Sequence, residues 1–391
     1  MAVVLEQRLL RAGDGSAWTR DSFPREFWSR YRSVFDEVAV VARAETAAEP
    51  DPYMRRVDGD GVSLVPVPMY VGPSALARRI NSVRKAIAGA VNEADAVVLR
   101  APGTLSNLAF PVVERFGRPL GVEVLGDPLE VFASNVTRHP LRPLLRRWFA
   151  GSLRRQCQAA DVVCYVTEHT LQDRYPPGRS SFSTWYSTVE LPEEAYAPMP
   201  PAVRTQPPFR TVTVASLDHM YKGVDSALAA VAWCPPVPAF RLDVIGDGRY
   251  RRALEARAAD LGVDDRVTFM GRLPGPEAVR EQLRDADLFL LASRTEGLPR
   301  ALLEAMALGL PCLATAVGGI PELLDEDSLV PPDASDQLGA RVLDVLAEPQ
   351  RRSRMSARNH LVARSYRAEI LAERRLAAYG QLARLAAAAS V

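Results

Sequence analysis

The strongest constraint on the fold is an alternation that runs, stops and restarts. In the first half of the chain short apolar, β-rich runs (AVVLEQ, VAVVAR, SLVPVP, DAVVLR, PLGVEVL, VVCYV) alternate with helix-patterned segments such as PREFWSRYRSVF and SALARRINSVRKAIAGAV. Strands separated by helices pair in parallel, and the helices cover both faces of the sheet. Between Leu191 and Pro208 the chain turns to LPEEAYAPMPPAVRTQPP, whose prolines suit no helix or strand interior, so a linker is expected there. From Phe209 the alternation restarts: RTVTVAS, a helix over VDSALAAVAW, RLDVIG, a helix over YRRALEARAADLG, RVTFMG, DLFLLAS, a helix from Pro299 to Leu308, and PCLATAV. A chain of 391 residues exceeds the size at which one core stops growing. Two doubly wound α/β domains follow, over residues 1–195 and 205–365. The strong helix formers of ARNHLVARSYRAEILAERRLAAYGQLARLAAAA close the chain as long helices, the last over 366–391.

Open α/β sheets bind ligands beyond the carboxyl ends of their strands, so the loops after the strands are where chemistry is sought. Charge limits what that chemistry touches. The formal net charge of +1 lacks the basic excess that nucleic-acid binding needs. Cys157, Cys164, Cys234 and Cys312 form no CxxC pair, and MAVVLEQRLLR lacks the apolar region of a signal peptide, so a cytoplasmic protein is expected. On that reading the Asn135-Val136-Thr137 sequon is chance. His139, His169, His219 and His360 are isolated, without HxH or HExxH spacing, so no metal site is expected. The stretch LRPLLRRWFAGSLRRQCQ, with Trp148 and Phe149, is basic and amphipathic. It fits either a weak peripheral contact with an anionic membrane or a helix with an arginine-rich solvated face.

The most specific segment is Glu296-Gly297-Leu298-Pro299-Arg300-Ala301-Leu302-Leu303-Glu304, after the strand DLFLLAS. Pro299 suits the first helical position, and Gly309 and Pro311 mark the helix end. Glu296 then lies in the loop and Glu304 inside the helix, roughly 8 to 12 Å apart at 1.5 Å per residue. Between them the free N–H groups of the first turn favour a diphosphate. A second element is SLDHMYKGVDSALAA, in which Lys222 and Gly223 lead from a loop into a helix; Lys85 and Lys222 are the only lysines in the chain.

The run TEGLPRALLEAMALGLPCLATAVGGIPELL resembles the donor-site signature of glycosyltransferase family 4: an E-x7-E pair, an LEAMA helix and a GG-x-PE turn. The resemblance implies the GT-B fold, two Rossmann-like domains facing across a cleft with carboxy-terminal helices crossing back to the first. It implies a retaining glycosyltransferase that uses a nucleotide-sugar donor, UDP-linked before GDP-linked, without a metal or other cofactor. The acceptor is then a sugar, a lipid-linked or a small molecule, held by the first domain. By the same resemblance Lys222 reaches the donor pyrophosphate, and Glu296 and Glu304 hold the two ends of the donor. Ser216 stands where relatives often carry a basic residue. Gly246, Asp247 and Gly248 resemble the loop lining the donor pocket, and Arg272 with Leu273 resembles the segment holding the base, although Arg272 is equally readable as a solvated arginine. Gly15, in Gly13-Asp14-Gly15, falls near the place of a glycine turn facing the donor phosphates. Asp127 stands where relatives present a histidine beside the reacting sugar, and reads either as an acceptor or donor ligand or as an Asx turn before Pro128. Three other functions share these features: a non-catalytic nucleotide-sugar-binding protein, a pseudoglycosyltransferase and a nucleotide-sugar epimerase.

Overall fold

A computed structural model describes residues 1–20, 23–133, 140–189, 191–235 and 240–389. The Asn135 sequon and His139 lie outside the described residues. The chain forms two compact units: Met1–Pro128 with Leu144–Tyr186 and Ala372–Val391, and Leu129–Pro143 with Ser187–Leu371.

In the first unit the parallel strands run in the order Val62–Pro68, Val38–Thr46, Ala2–Arg11, Val97–Ala101, Leu120–Val124, Val162–Tyr165, Phe182–Trp185. Val97–Ala101 and Leu120–Val124 are buried throughout, as expected of strands covered on both faces. The long helices Gly72–Glu93 and Thr104–Phe116 contribute Val83, Ile87, Leu105 and Phe110 to the same core. Two features differ from the sequence reading. Ala17–Thr19 and Arg55–Arg56 add antiparallel strands beside the far end of Ala2–Arg11. The segment PREFWSRYRSVF forms only a 3-10 turn, Arg25–Trp28, and one α-turn, Ser29–Arg32, because Trp28 and Tyr31 are drawn fully into the core.

Ala2–Arg11 is irregular at its middle. Val4 pairs with Val41 and Arg8 with Arg43, so Leu5, Glu6 and Gln7 oppose Ala42 alone. Such a bulge bends the strand and re-aims the side chains within it.

The last helix, Ala368–Ala389, buries Leu371, Ala378, Tyr379, Leu382 and Ala386 on one face, and from Ala372 onward it belongs to the first unit. Its anchor is polar. Arg100 and Glu123 are register partners on adjacent strands, and their side chains pair at 2.6 Å with both almost wholly buried. Glu123 Oε1 also accepts from the hydroxyls of Tyr31 at 2.7 Å and Tyr379 at 2.6 Å. Burial alone would raise the Glu123 carboxyl, but Arg100 and the two tyrosine hydroxyls outweigh it and hold it below the usual range.

The second unit is all parallel: Val267–Gly271, Phe240–Ile245, Phe209–Val214, Leu288–Leu291, Cys312–Thr315, Leu329–Val330. This is the doubly wound order in which the first strand is central and the order reverses beside it. Helices Val224–Trp233, Ser335–Ala347 and Pro349–Arg364 flank it, with Leu228, Leu242, Leu290, Leu313 and Val345 at the core. Residues 129–143, expected in the first domain, belong to this unit, where Glu130 accepts the Gly318 N–H at 3.0 Å.

Candidate functional site

The loops at the carboxyl edge of the second sheet are locked together through their backbones. Gly223 has φ +67°, and a Cβ there would lie 1.8 Å from the Ala292 carbonyl oxygen. Gly318 has φ +55°, and a Cβ there would lie 1.9 Å from the Glu296 carbonyl oxygen. Only glycine allows approaches this close, so the loop of Lys222 is pressed onto the end of strand Leu288–Leu291. The GG-x-PE turn is pressed onto the loop of Glu296 in the same way, and Gly319 N–H bonds the Gly297 carbonyl at 2.8 Å.

At the centre of this lock Lys222 Nζ pairs with Glu296 Oε1 at 2.8 Å, the two side chains being 22 % and 8 % exposed. Ser293 Oγ donates to the same carboxylate oxygen at 2.7 Å, and Thr315 Oγ1 donates to the Ser293 carbonyl. An ammonium has three N–H donors. Lys222 therefore keeps its hold on Glu296 while retaining the capacity to bind a ligand anion.

Glu296 leads through Gly297 and Leu298 to Pro299, which is the N-cap rather than the first helical residue: its ψ is 120° and its carbonyl accepts from Leu303 N–H at 3.3 Å. The helix is Arg300–Ala307, and no side chain caps its N-terminus. Its first N–H groups are thus available to an anion. Glu304, one turn in, is buried, with Oε1 bonded by Arg300 Nε at 2.9 Å.

Arg294 was not singled out by sequence reasoning, yet it ties the two loops together. Its guanidinium bonds Asp225 at 2.8 Å, Asp333 at 2.7 Å and the Met220 carbonyl at 2.6 Å, and its N–H bonds the Tyr221 carbonyl. An arginine immediately after an apolar strand, two residues before Glu296, was the available signal.

The loop of Ser216, which leads on to Lys222, meets the loop of Gly246, Asp247 and Gly248: Leu217 N–H bonds the Asp247 carbonyl at 2.9 Å. Ser216 is exposed and its hydroxyl turns back to Asp218 at 3.3 Å. Asp218 accepts the Arg249 N–H at 3.1 Å, which holds its carboxyl below the usual range. Asp247 is spent on its own turn, bonding Gly248 N–H at 2.8 Å and Arg251 at 3.2 Å. Arg272 and Leu273 follow strand Val267–Gly271, where Gly246 N–H bonds the Gly271 carbonyl at 2.9 Å. Arg272 is exposed and makes no ion pair among the described residues.

Two expected site residues lie in the other unit. Asp127 is buried, and its two carboxylate oxygens accept from Arg174 and from the Tyr175 hydroxyl. These contacts give it a structural role within the first unit. Gly15 sits in the turn between antiparallel strands, where Gly15 N–H bonds the Ala12 carbonyl and a Cβ would meet nothing within 4 Å. Strand Ala2–Arg11 carries this turn roughly 20 Å beyond its last pairing with Val97–Ala101 at Val4. No group of three His, Cys, Asp or Glu side chains that could hold a metal occurs among the described residues.

Residues 202–361 match the family described as glycosyl transferases group 1. Among curated proteins, Protein CapJ of Staphylococcus aureus is 23 % identical over 79 % of this chain and 77 % of its own length. A GDP-mannose-dependent monoacylated alpha-(1-6)-phosphatidylinositol monomannoside mannosyltransferase of Corynebacterium glutamicum is 32 % identical over 57 % of this chain and 63 % of its own. Among solved structures, sucrose-phosphate synthase from Thermosynechococcus elongatus aligns with TM-score 0.70 at 17 % identity, covering 99 % of both chains. HepE of Anabaena, in complex with UDP, aligns with TM-score 0.64 at 17 % identity, covering 95 % of this chain and 98 % of its own. The fold of both units is thereby that of the GT-B glycosyltransferases.

Proposed function

We propose that the chain, whose residues 202–361 match the group 1 glycosyltransferases, is a retaining enzyme moving a sugar from a nucleoside diphosphate sugar to an acceptor hydroxyl in the making of a glycan, glycolipid or secondary metabolite. The observation that carries this reading is the Lys222–Glu296 pair beside the uncapped start of helix Arg300–Ala307. When the bond from the anomeric carbon to the diphosphate oxygen breaks, negative charge collects on the diphosphate and positive charge on the sugar ring. Lys222 and the helix N–H groups meet the first, and the Glu296 carboxylate faces the second. Groups that bind these charges more tightly as they develop lower the barrier rather than merely holding the donor. The acceptor oxygen attacks from the face the diphosphate leaves, and its proton passes to the departing phosphate oxygen. Glu304 holds the ribose. The scheme needs no cofactor beyond the donor.

A UDP-sugar is the preferred donor in this reading. HepE was crystallised with UDP, whereas the Corynebacterium relative is GDP-mannose-dependent, so GDP is the competitor to test. Titration calorimetry with UDP, GDP, ADP and NAD, followed by turnover with donor alone and with donor plus acceptors, is the deciding experiment. Binding of UDP ahead of the others, with sugar transfer only when acceptor is present, is expected. NAD as the tightest ligand would sink the reading. Conversion of donor without acceptor would replace it by the epimerase.

A membrane contact is supported by helix Arg142–Ala159, which leaves Leu144 65 % and Trp148 46 % exposed next to Arg146, Arg147, Arg154 and Arg155. No helix among the described residues is long and apolar enough to cross a membrane. Anionic vesicles are expected to sediment the protein at low salt and release it at high salt. Failure to sediment at low salt would leave this helix as a solvated face.

A further inference from the structure

A charge buried away from water has to be met by a partner. Arg352, in the first turn of helix Pro349–Arg364, is wholly buried, yet its Nε, Nη1 and Nη2 all lack a hydrogen-bond partner among the described residues. Ser356, one turn further along the same helix, is buried with its Oγ unpartnered as well. Arg352 stands in the wall of a cavity of about 240 Å³, which is otherwise lined by linker residues 201–204 and by residues 284–287 and 309–311. We propose that this cavity binds a small oxyanion of the phosphate class, gripped by the guanidinium fork of Arg352.

The cavity lies at the amino edge of the second sheet. Asp287 and Pro311 immediately precede strands Leu288–Leu291 and Cys312–Thr315, and Phe209 opens strand Phe209–Val214 beside them. The donor loops stand at the carboxyl edge, a strand length of roughly 13 Å away. This is a second site, and it does not depend on what the first one binds.

The acceptors around Arg352 are already used. Asp287 attracts it through space, but Asp287 Oδ2 accepts the Arg210 N–H at 2.8 Å and Oδ1 pairs with Arg204 at 3.3 Å. At the end of helix Arg300–Ala307 the Ala307 carbonyl is bonded by the His360 ring at 3.1 Å and the Leu310 carbonyl by Asn359 Nδ2 at 2.8 Å. The Ala305 and Met306 carbonyls accept from the N–H groups of Leu310 and Gly309. Phe209 covers one face of the guanidinium, with its ring centroid 4.7 Å from Cζ. Stacking of this kind leaves the N–H donors pointing outward in the guanidinium plane, so the fork stays open at its edge. Burial lowers the pKa of Arg352 and Asp287 only partly opposes it, as expected of a charge short of compensation.

The wall carries three arginines against two aspartates. Arg204 is paired with Asp287, and Arg284 with Glu277 at 2.8 Å, while Asp285 is exposed to water. What remains to be met is the buried charge of Arg352. A guanidinium fork matches phosphate in bidentate fashion, and a tetrahedral phosphate keeps spare oxygens for the Ser356 hydroxyl. Ser356 Oγ is close at hand: a Cβ on Gly309, in the wall, would lie 3.4 Å from it. The volume is below the roughly 300–1,000 Å³ of drug-sized ligand sites, so it suits an ion or a small monoester rather than a nucleotide. Linker residues 201–204 belong to no helix or strand and make no backbone–backbone hydrogen bond among the described residues, so the wall can admit an ion without breaking a ladder.

The test is titration calorimetry on the full chain at constant ionic strength, balanced with chloride, using inorganic phosphate, methyl phosphate and succinate as probes. Saturable binding of phosphate or methyl phosphate is expected, with succinate weaker. Arg352→Met removes the charge at similar volume, relieving the fold rather than threatening it, and should weaken that binding about ten-fold or more. Arg352→Lys keeps a charge without the fork and should recover only part of it. Lys222→Ala should retain the binding, since it empties the donor site and leaves this one whole. Tighter binding of free phosphate makes the ion the ligand, and tighter binding of methyl phosphate makes it a monoester; either agrees with the proposal. Absence of saturable binding, or succinate as the tightest probe, overturns it. So does binding that survives Arg352→Met, and its loss in Lys222→Ala would then assign the phosphate to the donor site.

Discussion

The two units share a doubly wound plan but place their polar residues by opposite means. In the second, the groups of the proposed donor site sit on loops whose shape is imposed by glycines and a proline at fixed offsets. Gly223 and Gly318 press the loops of Lys222 and Glu296 together, and Pro299 sets the start of the helix after them. In the first unit the polar residues sit inside strands and find partners from far along the chain. Glu123 is bonded by Tyr31 and by Tyr379, 92 and 256 residues away, and Glu6 by Leu105, 99 residues away. A site built on turns leaves a local pattern; a polar centre built on a bulge and long-range contacts does not.

The largest effect that separates the units is expected at Arg100. Arg100→Met leaves the Glu123 carboxylate buried without its cation, a change that costs about 3–5 kcal/mol. Hydrogen exchange should show the loss in peptides of the first unit and of the last helix, with nucleotide affinity little altered. Protection unchanged in those peptides would mean the tyrosine hydroxyls alone hold Glu123. The same carboxyl sets a pH dependence. Its pKa is held down in the folded protein, so its contribution is present above the ordinary glutamate value and is lost as pH falls through the lower folded value. Acid should therefore loosen the first unit in the wild type. Glu123→Gln should flatten that part of the profile.

Next in size is Lys222→Ala. Removing one charge-assisted contact from a site of this kind costs roughly 10²-fold or about 3 kcal/mol in kcat/KM. Lys222→Arg should recover little, because a planar fork does not place a point charge equally against Glu296 and a phosphate. Steady-state kinetics decide it, and a wild-type rate in the alanine variant would reduce the pair to a structural contact.

How much of this was legible follows from the same contrast. The second sheet, its loops, Lys222 and the Glu296 to Glu304 helix could be read because each rests on neighbours in sequence. Asp127 was ambiguous because nothing near it announces Arg174 and Tyr175, which each bond one of its oxygens. Gly15 stayed open because a glycine turn after a first strand looks the same in sequence whether a helix or, as here, an antiparallel strand follows. The hidden polar centres did leave one mark. Glu6, Arg43, Arg100 and Glu123 are the charges interrupting the apolar runs AVVLEQ, VAVVAR, DAVVLR and PLGVEVL. A charge inside a strand buried on both faces must be paired, and these four are paired with each other.

Smaller again is the division between the two donor-site glutamates. If Glu304 holds the ribose as proposed, Glu304→Gln should raise the donor KM and weaken binding of the free nucleoside diphosphate about ten-fold, since that contact is the same before and during reaction. Glu296→Gln should lower kcat while nucleotide affinity holds or improves, because the substitution removes a negative charge from beside Lys222 and the phosphates. Calorimetry on both variants separates the roles. Loss of nucleotide binding in Glu296→Gln, with Glu304→Gln spared, would reverse the orientation of the donor along the helix.

The smallest expected effect is also the cleanest test of whether the first strand's glycine turn touches the donor. Gly15 has φ +88°, which an alanine adopts only at a cost of about 1–2 kcal/mol, yet the space around a new Cβ is open. If Gly15 is a hairpin tip, Gly15→Ala should lower stability by about that amount and leave nucleotide affinity and KM for the donor untouched. Gly15→Asn should lose less, since asparagine tolerates positive φ better than alanine does. A donor-lining glycine behaves otherwise: any Cβ would collide with the phosphates, and both variants would lose affinity regardless of their stability. Thermal unfolding and calorimetry with UDP or GDP on the two variants distinguish the cases. Parallel loss of affinity in both would restore Gly15 to the donor site and show that the long first strand does not carry its turn out of reach.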